Sequence, residues 1–285
     1  MTDSTKIIFA NHEIRKSRLQ KTYFIEWVTE YAQAKGYAVN VEKGSFKSRN
    51  IVIGDVDSAK VIFTAHYDTC AWMPLPNFIT PCNFLVYLLY QILLTGVIFC
   101  TAIGLGVAAG LLFGGPEIAG LISFVLLYVM LALIMVGPAN RHTANDNTSG
   151  VVTVLEIMAS IPDNLKDRVA FVLFDLEEAG LVGSSSYRTK HKKQTQNQVV
   201  LNLDCVGDGD QILLFPTGKL KKNAAEMSKL QKLCGAMGAK RLQLMTKGFA
   251  FYPSDQAKFR RGVGVCALKK NKFFGYYMDR IHTKK

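Results

Sequence analysis

Residues 169–187 read VAFVLFDLEEAGLVGSSSY, and the fold can be inferred outward from this stretch. Its first six residues are all apolar, two adjacent acidic residues, Glu177 and Glu178, come shortly after them, and a helical pattern follows. A strand that is apolar on both faces is typical of a sheet that is covered on both sides. Similar short runs predict strands at 51–56, 61–65, 199–203 and 262–268. The alternation of strands with helical segments predicts an α/β fold.

Helical patterns lie between these strands. Apolar residues return at helical spacing over residues 14–36 and predict an amphipathic helix that ends at Gly36. Further helical patterns cover residues 150–161, 178–189 and 222–237. The 285 residues are enough for one large domain.

An apolar insert interrupts the α/β pattern. Between Thr69 and Asn140 the only charged residue is Glu117. Two uncharged runs, at 84–113 and 118–136, flank a Gly-Gly-Pro-Glu break, and each run is long enough to cross the hydrocarbon core of a bilayer. We therefore expect a transmembrane helical hairpin, with a buried core hairpin or an oligomer interface as the alternative.

The segments on either side of the insert are expected to form one discontinuous domain, residues 1–82 and 138–285, with the hairpin at 83–137. The hairpin turn has no Lys or Arg, whereas Arg141 follows the second run, so the positive-inside rule places the domain on the cytoplasmic side. The first residues lack a signal-peptide pattern, and the six cysteines are scattered without CxxC pairs. Both features are typical of a chain whose thiols stay reduced.

The chain is basic, with 34 Lys and Arg against 22 Asp and Glu and a formal net charge of +12. Much of the excess lies at both ends and at 188–193 and 219–241. This charge indicates either a solvated face or a surface that faces anionic lipid headgroups. We do not expect nucleic acid as a partner, because basic and aromatic residues do not interleave and zinc-finger spacing is absent from the sequence.

Residue types that bind metals recur at the ends of the predicted strands. They are His66, Asp68, Glu177, Glu178 and Asp204. In open α/β sheets the carboxyl ends of the strands form the usual binding edge. Adjacent carboxylates repel each other, so a pair at one strand end indicates a compensating cation. Asp146, in a polar loop before a helix, is either a further ligand or part of an ordinary helix cap.

Six short segments, taken in order, resemble peptidase family M28, the co-catalytic zinc aminopeptidases. They are HYD (66–68), ANDNTSG (144–150), FDLEEAGLVGSSSY (174–187), NLDCVGDGD (202–210), SDQAKF (254–259) and IHT (281–283). No single segment decides the matter, but their order and spacing are specific. The resemblance implies a three-layer α/β/α zinc-peptidase fold with a central, mostly parallel mixed sheet, into which the two-helix transmembrane hairpin is inserted.

The resemblance also implies a ligand set for two Zn²⁺ ions per chain. Asp146 would bridge the two ions, His66 and Asp204 would complete one site, and Glu178 and His282 would complete the other. Mixed imidazole and carboxylate ligands suit zinc. His282 lies three residues from the end of the sequence, where an exposed histidine in a tail is the alternative.

Catalytic and substrate-binding roles follow from the same resemblance. Glu177 would be the general base that takes a proton from the metal-bridging water, and Asp68 would orient His66. The segment at 247–259 predicts a cleft loop, in which Tyr252, Ser254 and Asp255 would border the substrate. Ser254 is equally compatible with a plain helix cap.

The function predicted from these implications is an aminopeptidase-type hydrolysis of an amide next to a free amine. Because the hairpin leaves the fold between His66 and Asp146, we expect the site to lie close to lipid. Its substrates are then peptides or aminoacyl compounds that are hydrophobic or lipid-linked. The alternatives are a non-catalytic, membrane-anchored binding module and a glutaminyl-cyclase-like acyl transfer on a single zinc.

Overall fold

Eleven strands form one mixed sheet in the computed structural model, which describes residues 2–73, 75, 77–237, 240–246 and 250–282. The strands are β1 (Val39–Lys43), β2 (Arg49–Ile53), β3 (Val61–His66), β4 (Asn77–Ile79), β5 (Val169–Phe174), β6 (Val199–Leu203), β7 (Gln211–Pro216), β8 (Gly235–Met237), β9 (Lys240–Leu244), β10 (Gly262–Asn271) and β11 (Gly275–Ile281). Their order is β1-β2-β5-β3-β6-β10-β7-β9-β8, and β11 pairs with both β10 and β4. The predicted mixed sheet is confirmed, and its parallel centre is β5-β3-β6-β10.

α-Helices alternate with these strands along the chain. They are α1 (Asp3–Asn11), α2 (Arg18–Ala34), α3 (Phe84–Phe113), α4 (Pro116–Val136), α5 (Ser149–Ser160), α6 (Val182–Lys190), α7 (Gly218–Lys221) and α8 (Ala224–Lys232). Side chains alternate between the faces of a strand, so Phe171 and Leu173 of β5 pack with α1, α2 and α5. Val172 and Phe174 point the other way and pack with α6. The predicted three layers are therefore confirmed.

Three helices differ in extent from the prediction. α2 begins after Ser17, because the Ser17 side chain accepts a hydrogen bond from the Gln20 N–H and the Gln20 side chain caps Ser17 in return. α6 begins after Leu181, whose left-handed φ of 61° interrupts the longer predicted helix. The helix predicted over 222–237 is wrong at its end, since α8 stops at Lys232 and the chain continues into β8, which pairs with β9.

The helices α3 and α4 form the predicted hairpin. Both are long and apolar enough to cross a membrane, and most of their large apolar side chains are exposed. An antiparallel bridge between Ala71 and Ala139 closes the base of the hairpin. Next to it, the Trp72 N–H donates to the Pro138 carbonyl at 2.7 Å. The two helices therefore leave the α/β part of the structure side by side.

Small residues let α3 and α4 approach each other closely. Gly106 and Gly110 are buried on α3. A Cβ atom at Gly106 would lie 2.7 Å from both the Ala119 carbonyl oxygen and the Ser123 nitrogen, and one at Gly110 would lie 2.6 Å from the Ala119 Cβ. In lipid, where apolar burial does not drive helices together, such close packing contributes much of their association.

Replacing Gly106 with alanine should therefore weaken the hairpin. We expect Gly106→Ala to lower the free energy of unfolding in detergent by about 1–3 kcal/mol, the usual range for overpacking. Gly104→Ala is the matched control, because a Cβ at Gly104 meets nothing within 4 Å. Equal thermal unfolding of the two variants would contradict the close packing at Gly106.

Candidate metal centre

The carboxyl end of β3 carries the first part of the site. His66 is the last residue of β3 and is buried. Its Nδ1 lies 3.1 Å from the Asp68 carbonyl oxygen and 3.5 Å from Asp68 Oδ1. Because both neighbours are acceptors, a neutral imidazole carries its proton on Nδ1, which leaves the Nε2 lone pair directed at the centre. Asp68 thus contacts His66 in the manner expected of an orienting residue.

Asp146 lies between two histidines. Its Oδ1 is 3.1 Å from His66 Nε2, and its Oδ2 is 2.8 Å from His282 Nε2. The loop is held in place by Asn147, whose side-chain oxygen accepts backbone N–H groups from α5 and from the residue that follows Asp204. One carboxylate oxygen thus faces each histidine. A carboxylate that bridges two cations would have the same arrangement.

Two further carboxylates complete the cluster. Asp204 follows β6, and its Oδ1 lies 3.8 Å from His66 Nε2. Glu178 Oε1 lies 3.5 Å from His282 Nε2. The structure therefore brings together all five predicted ligands, which arrive from segments more than 200 residues apart in the sequence.

The turn that carries the adjacent acids is tied to the His66 strand. The Asp68 carboxylate accepts the backbone N–H of Glu177 at 3.0 Å and that of Glu178 at 3.3 Å. One buried carboxylate therefore positions both the β3 histidine and the β5 acids. From the sequence, only the first of these two contacts is predicted for Asp68.

The donor set fits a divalent cation. Glu178 Oε1 and Asp204 Oδ1 are buried and have no hydrogen-bond partner among the described residues. Among the residues that the structure describes, three groups of side chains have ligand atoms within 4.8 Å of one another. They are His66–Asp146–Asp204, His66–Glu177–Glu178 and Cys70–Glu178–His282. Imidazole nitrogens and carboxylate oxygens at this spacing suit zinc.

Cys70 is a neighbour of the centre that is not predicted from the sequence. Its sulfur belongs to the third of these groups, beside Glu178 and His282. The Asn140 side-chain amide donates to Cys70 Sγ at 3.5 Å and to the His282 carbonyl oxygen at 3.0 Å. A single cysteine in an apolar run is typical of a buried thiol, so the sequence carries no signal that distinguishes it.

Burial determines the acid–base properties of the cluster. It raises the pKa of Glu177 well above its ordinary range, and the charge on His66 opposes this rise. Burial also raises the pKa of Glu178, and the charge on Asp146 adds to the effect. The pKa of Asp255 rises to about 7, again chiefly through burial. A bound cation would offset the cost of ionising these carboxyls.

A buried arginine that the sequence analysis did not single out joins the loops of the site. The Arg15 guanidinium donates to the Tyr67 carbonyl at 2.6 Å and to Thr148 Oγ1 at 3.0 Å. Its backbone N–H donates to Thr69 Oγ1 at 3.1 Å. Burial lowers the pKa of Arg15 to about 10, and Asp68 opposes this shift, so the side chain stays charged at neutral pH. In the sequence Arg15 is one of several basic residues before α2 and looks like a solvated charge.

The three residues predicted to border the substrate are buried beneath the centre. Tyr252, Ser254 and Asp255 are each less than one-tenth exposed. The Tyr252 hydroxyl donates to the Asp204 carbonyl at 3.2 Å, so this side chain supports a predicted ligand from below. Their role as substrate contacts stays a prediction, and the first three residues of the cleft loop predicted at 247–259 lie outside the described residues.

Comparison with known proteins identifies the family. Residues 131–285, more than half of the chain, match the model of peptidase family M28. The chain belongs to peptidase family M28. Membership in this family of zinc metallopeptidases confirms the predicted enzyme class, a hydrolase, and supports zinc as its metal.

A curated relative and two solved structures are similar to this M28 chain. Aminopeptidase YwaD of Bacillus subtilis (strain 168) is 41% identical over 69 residues, which make up 22% of this chain and 15% of the relative. The crystal structure of the LapA aminopeptidase of Legionella pneumophila aligns with a TM-score of 0.55 at 15% identity, over 99% of this chain and 63% of that chain. Glutaminyl cyclase of Porphyromonas gingivalis aligns with a TM-score of 0.57 at 15% identity, over 99% and 88%.

These similarities differ in what they show. The two structural alignments, at 15% identity, show a shared fold, and they confirm the predicted zinc-peptidase architecture. The chain spans less than two thirds of both YwaD and LapA.

Removing the Arg15 guanidinium should loosen the centre. We expect Arg15→Met to lower the free energy of unfolding by about 3 kcal/mol, because several buried acceptors each lose roughly 1 kcal/mol of hydrogen bonding. Zinc affinity should fall as well, since the end of the His66 strand and the Asp146 loop lose their common donor. Arg18→Met, at an exposed position on α2, is the control. Thermal unfolding and equilibrium zinc titration measure both effects, and two indistinguishable variants would refute this role of Arg15.

Proposed function

We propose that this M28 chain is a membrane-associated, zinc-dependent exo-hydrolase of the aminopeptidase type, which cleaves an amide next to a free amine. The observation that carries the proposal is the position of Asp146, whose two oxygens face His66 Nε2 and His282 Nε2 at 3.1 and 2.8 Å. A carboxylate directed at two imidazoles, with further carboxylates beside each, could hold two metal ions a few ångströms apart, as in a two-metal hydrolase.

The proposed ligands are those that the family resemblance implied. Asp146 would bridge two zinc ions, His66 and Asp204 would hold one, and Glu178 and His282 would hold the other. Zinc in these sites would supply Lewis-acid polarisation of the scissile carbonyl and a lowered pKa for the attacking water. The unpartnered oxygens of Glu178 and Asp204 support this assignment.

Glu177 is the proposed general base. Its side chain is part of one ligand group with His66 and Glu178. The five other candidate ligands would suffice for the two proposed zinc ions. Glu177 takes a proton from the attacking water and transfers it to the leaving amine. The backbone of Glu177 is held by the Asp68 carboxylate at 3.0 Å, which keeps the base in place while it exchanges protons.

The proposed substrates are hydrophobic or lipid-linked, and membrane lipids surround the hairpin. A cavity of about 540 Å³ is lined by Asp68 and Glu178 together with Met135 and Val136 of α4. The metal centre therefore opens towards the base of the hairpin, where an acyl chain or an apolar side chain can lie against α4. This proposal keeps the domain division predicted from the sequence and places the α/β domain on the cytoplasmic side of the membrane.

A second cavity extends the apolar surface between the helices of the hairpin. It has a volume of about 430 Å³, and its lining is almost entirely apolar. Trp72 and Pro138 at the base of the hairpin contribute to it, together with Ile98 of α3 and Ile134 of α4. An apolar cavity of this size next to the hairpin base suits a hydrocarbon chain.

Exchange of Glu177 for glutamine tests the hydrolase. We expect Glu177→Gln to reduce kcat for aminoacyl arylamides by about 10²- to 10⁴-fold, the usual contribution of a general base, while the zinc content stays at the wild-type value. Glu178→Gln, by contrast, should lose zinc from one site. The measurements are amine release by detergent-solubilised protein and zinc analysis of the same samples.

Other outcomes of this experiment favour other functions. A Glu177→Gln variant that keeps full activity would rule out Glu177 as the base. Bound zinc with no activity on the arylamides or on lipid-linked substrates would favour the non-catalytic binding module. The similarity in fold to a glutaminyl cyclase makes cyclisation a second candidate, and mass spectrometry distinguishes a product that has lost ammonia from products that have gained water.

The hairpin should give the enzyme a preference for long-chain substrates. Since each buried methylene contributes about 0.8 kcal/mol, several added methylenes on the leaving amine should raise kcat/KM more than about tenfold. Val136→Gln should reduce this preference, whereas Leu112→Gln, at the distant end of α3, should retain it. The two residues are matched in exposure, at 77% and 76%. Equal kcat/KM values for short and long amines would contradict a lipid-facing substrate path.

A further inference from the structure

A basic cavity lies outside the metal centre. It has a volume of about 670 Å³. Its lining includes six cationic side chains: Arg188, Lys192, Lys219, Lys222, Lys258 and Arg260. None of the residues that line it is acidic. The basic segments at 188–193 and 219–241 of the sequence thus meet at one place, joined by a third segment before β10.

These six cations differ from their neighbours in having no acidic partner. Lys190 forms an ion pair with Glu42 at 2.9 Å, and Lys229 and Arg261 both pair with Glu226. Within the described part of the chain, by contrast, no carboxylate oxygen lies within 4.0 Å of the nitrogen atoms of the six cavity cations. Like charges that line one concavity repel each other, and an anion bound there would remove that cost.

The remaining lining residues suit a phosphorylated ligand. Thr195, Gln196 and Thr217 add hydroxyl and amide groups to the cationic side chains, and Phe259 contributes an apolar wall. Arg and Lys bind phosphate oxygens through charge-assisted hydrogen bonds, and hydroxyl groups add further ones. The volume lies within the usual range for small-molecule sites and leaves room for several phosphate groups rather than one.

The pairing of the strands places this cavity and the metal centre at opposite ends of the parallel strands. Pro216 at the end of β7 pairs with Val263 at the start of β10, and β10 runs parallel to β6, whose far end leads to Asp204. The cavity residues follow β7 or precede β6 and β10. The six-residue strand β3, which runs parallel to β6, spans about 20 Å at roughly 3.3 Å per residue. The base of the hairpin lies at the His66 end of β3, so the cavity lies at the sheet edge away from it.

We propose that this cavity binds a soluble anion that carries several phosphate groups. The same chemistry could come from a lipid headgroup, but the hairpin leaves the fold at the other edge of the sheet. The proposal is independent of the zinc chemistry, because the cavity shares no lining residue with the metal centre.

The test measures binding of inorganic tripolyphosphate to the full chain in nanodiscs of neutral lipid, by isothermal titration calorimetry. Lys219→Ala combined with Lys222→Ala removes two exposed cavity cations. Lys43→Ala combined with Lys272→Ala removes two exposed cations elsewhere and leaves the net charge equal. We expect the cavity variant to bind at least about tenfold more weakly than the wild type, a loss of about 1.4 kcal/mol, and the control variant to bind like the wild type.

Tripolyphosphate can also chelate zinc, but both variants have the same metal centre. Chelation therefore contributes equally to the two measurements. Absence of binding, or an equal loss in the two variants, would overturn the proposal. The second arm measures association of the nanodisc-embedded protein with phosphatidylglycerol vesicles. If the cavity variant loses that association while it keeps tripolyphosphate binding, the cavity belongs to lipid headgroups and a soluble ligand is refuted.

Discussion

Crowding of carboxylates at one edge of the sheet is the constraint on which the rest of this structure depends. Asp146, Glu178 and Asp204 lie within a few ångströms of the same two imidazoles, and Glu177 is next to them. Two like charges about 4 Å apart repel by roughly 4 kcal/mol at the effective dielectric of a protein. Such a cluster is stable only where protons, imidazoles or a divalent cation offset its negative charge. Burial and the neighbouring carboxylates raise the pKa values of Glu177 and Glu178 for the same reason.

The surroundings of the cluster are organised to hold these groups in place. Asp68 joins the His66 strand to the turn of the two glutamates, and Arg15 joins the same strand to the Asp146 loop. Behind them, Lys21 pairs with the buried Asp175 at 2.5 Å, directly before that turn. Each of these contacts connects segments that are distant in the sequence. The charged residues beneath the cluster therefore determine its geometry as much as its own residues do.

The insert takes part in this arrangement beyond its two apolar helices. The strand β4, just before α3, pairs with β11, which ends next to His282. Asn140, just after α4, donates to the carbonyl of His282 and contacts Cys70. The last predicted ligand is therefore held by the two segments that connect the hairpin to the domain. When the hairpin is ordered, these connecting segments also hold His282 in place. The position of the helices is therefore linked to the completeness of the site.

The sequence by itself determined the class of fold, the two-helix hairpin and the residue types of the candidate ligands, because each leaves a local signal: apolar runs, their lengths, and acids or histidine at strand ends. Only the tertiary structure decided that Arg15 and Cys70 belong to the site, that Asp68 also holds the glutamate turn, and that Tyr252, Ser254 and Asp255 lie beneath the centre. It also decided that three separate basic segments line one cavity. These features depend on contacts between residues far apart in the chain, and periodicity and spacing along a sequence carry no information about such contacts.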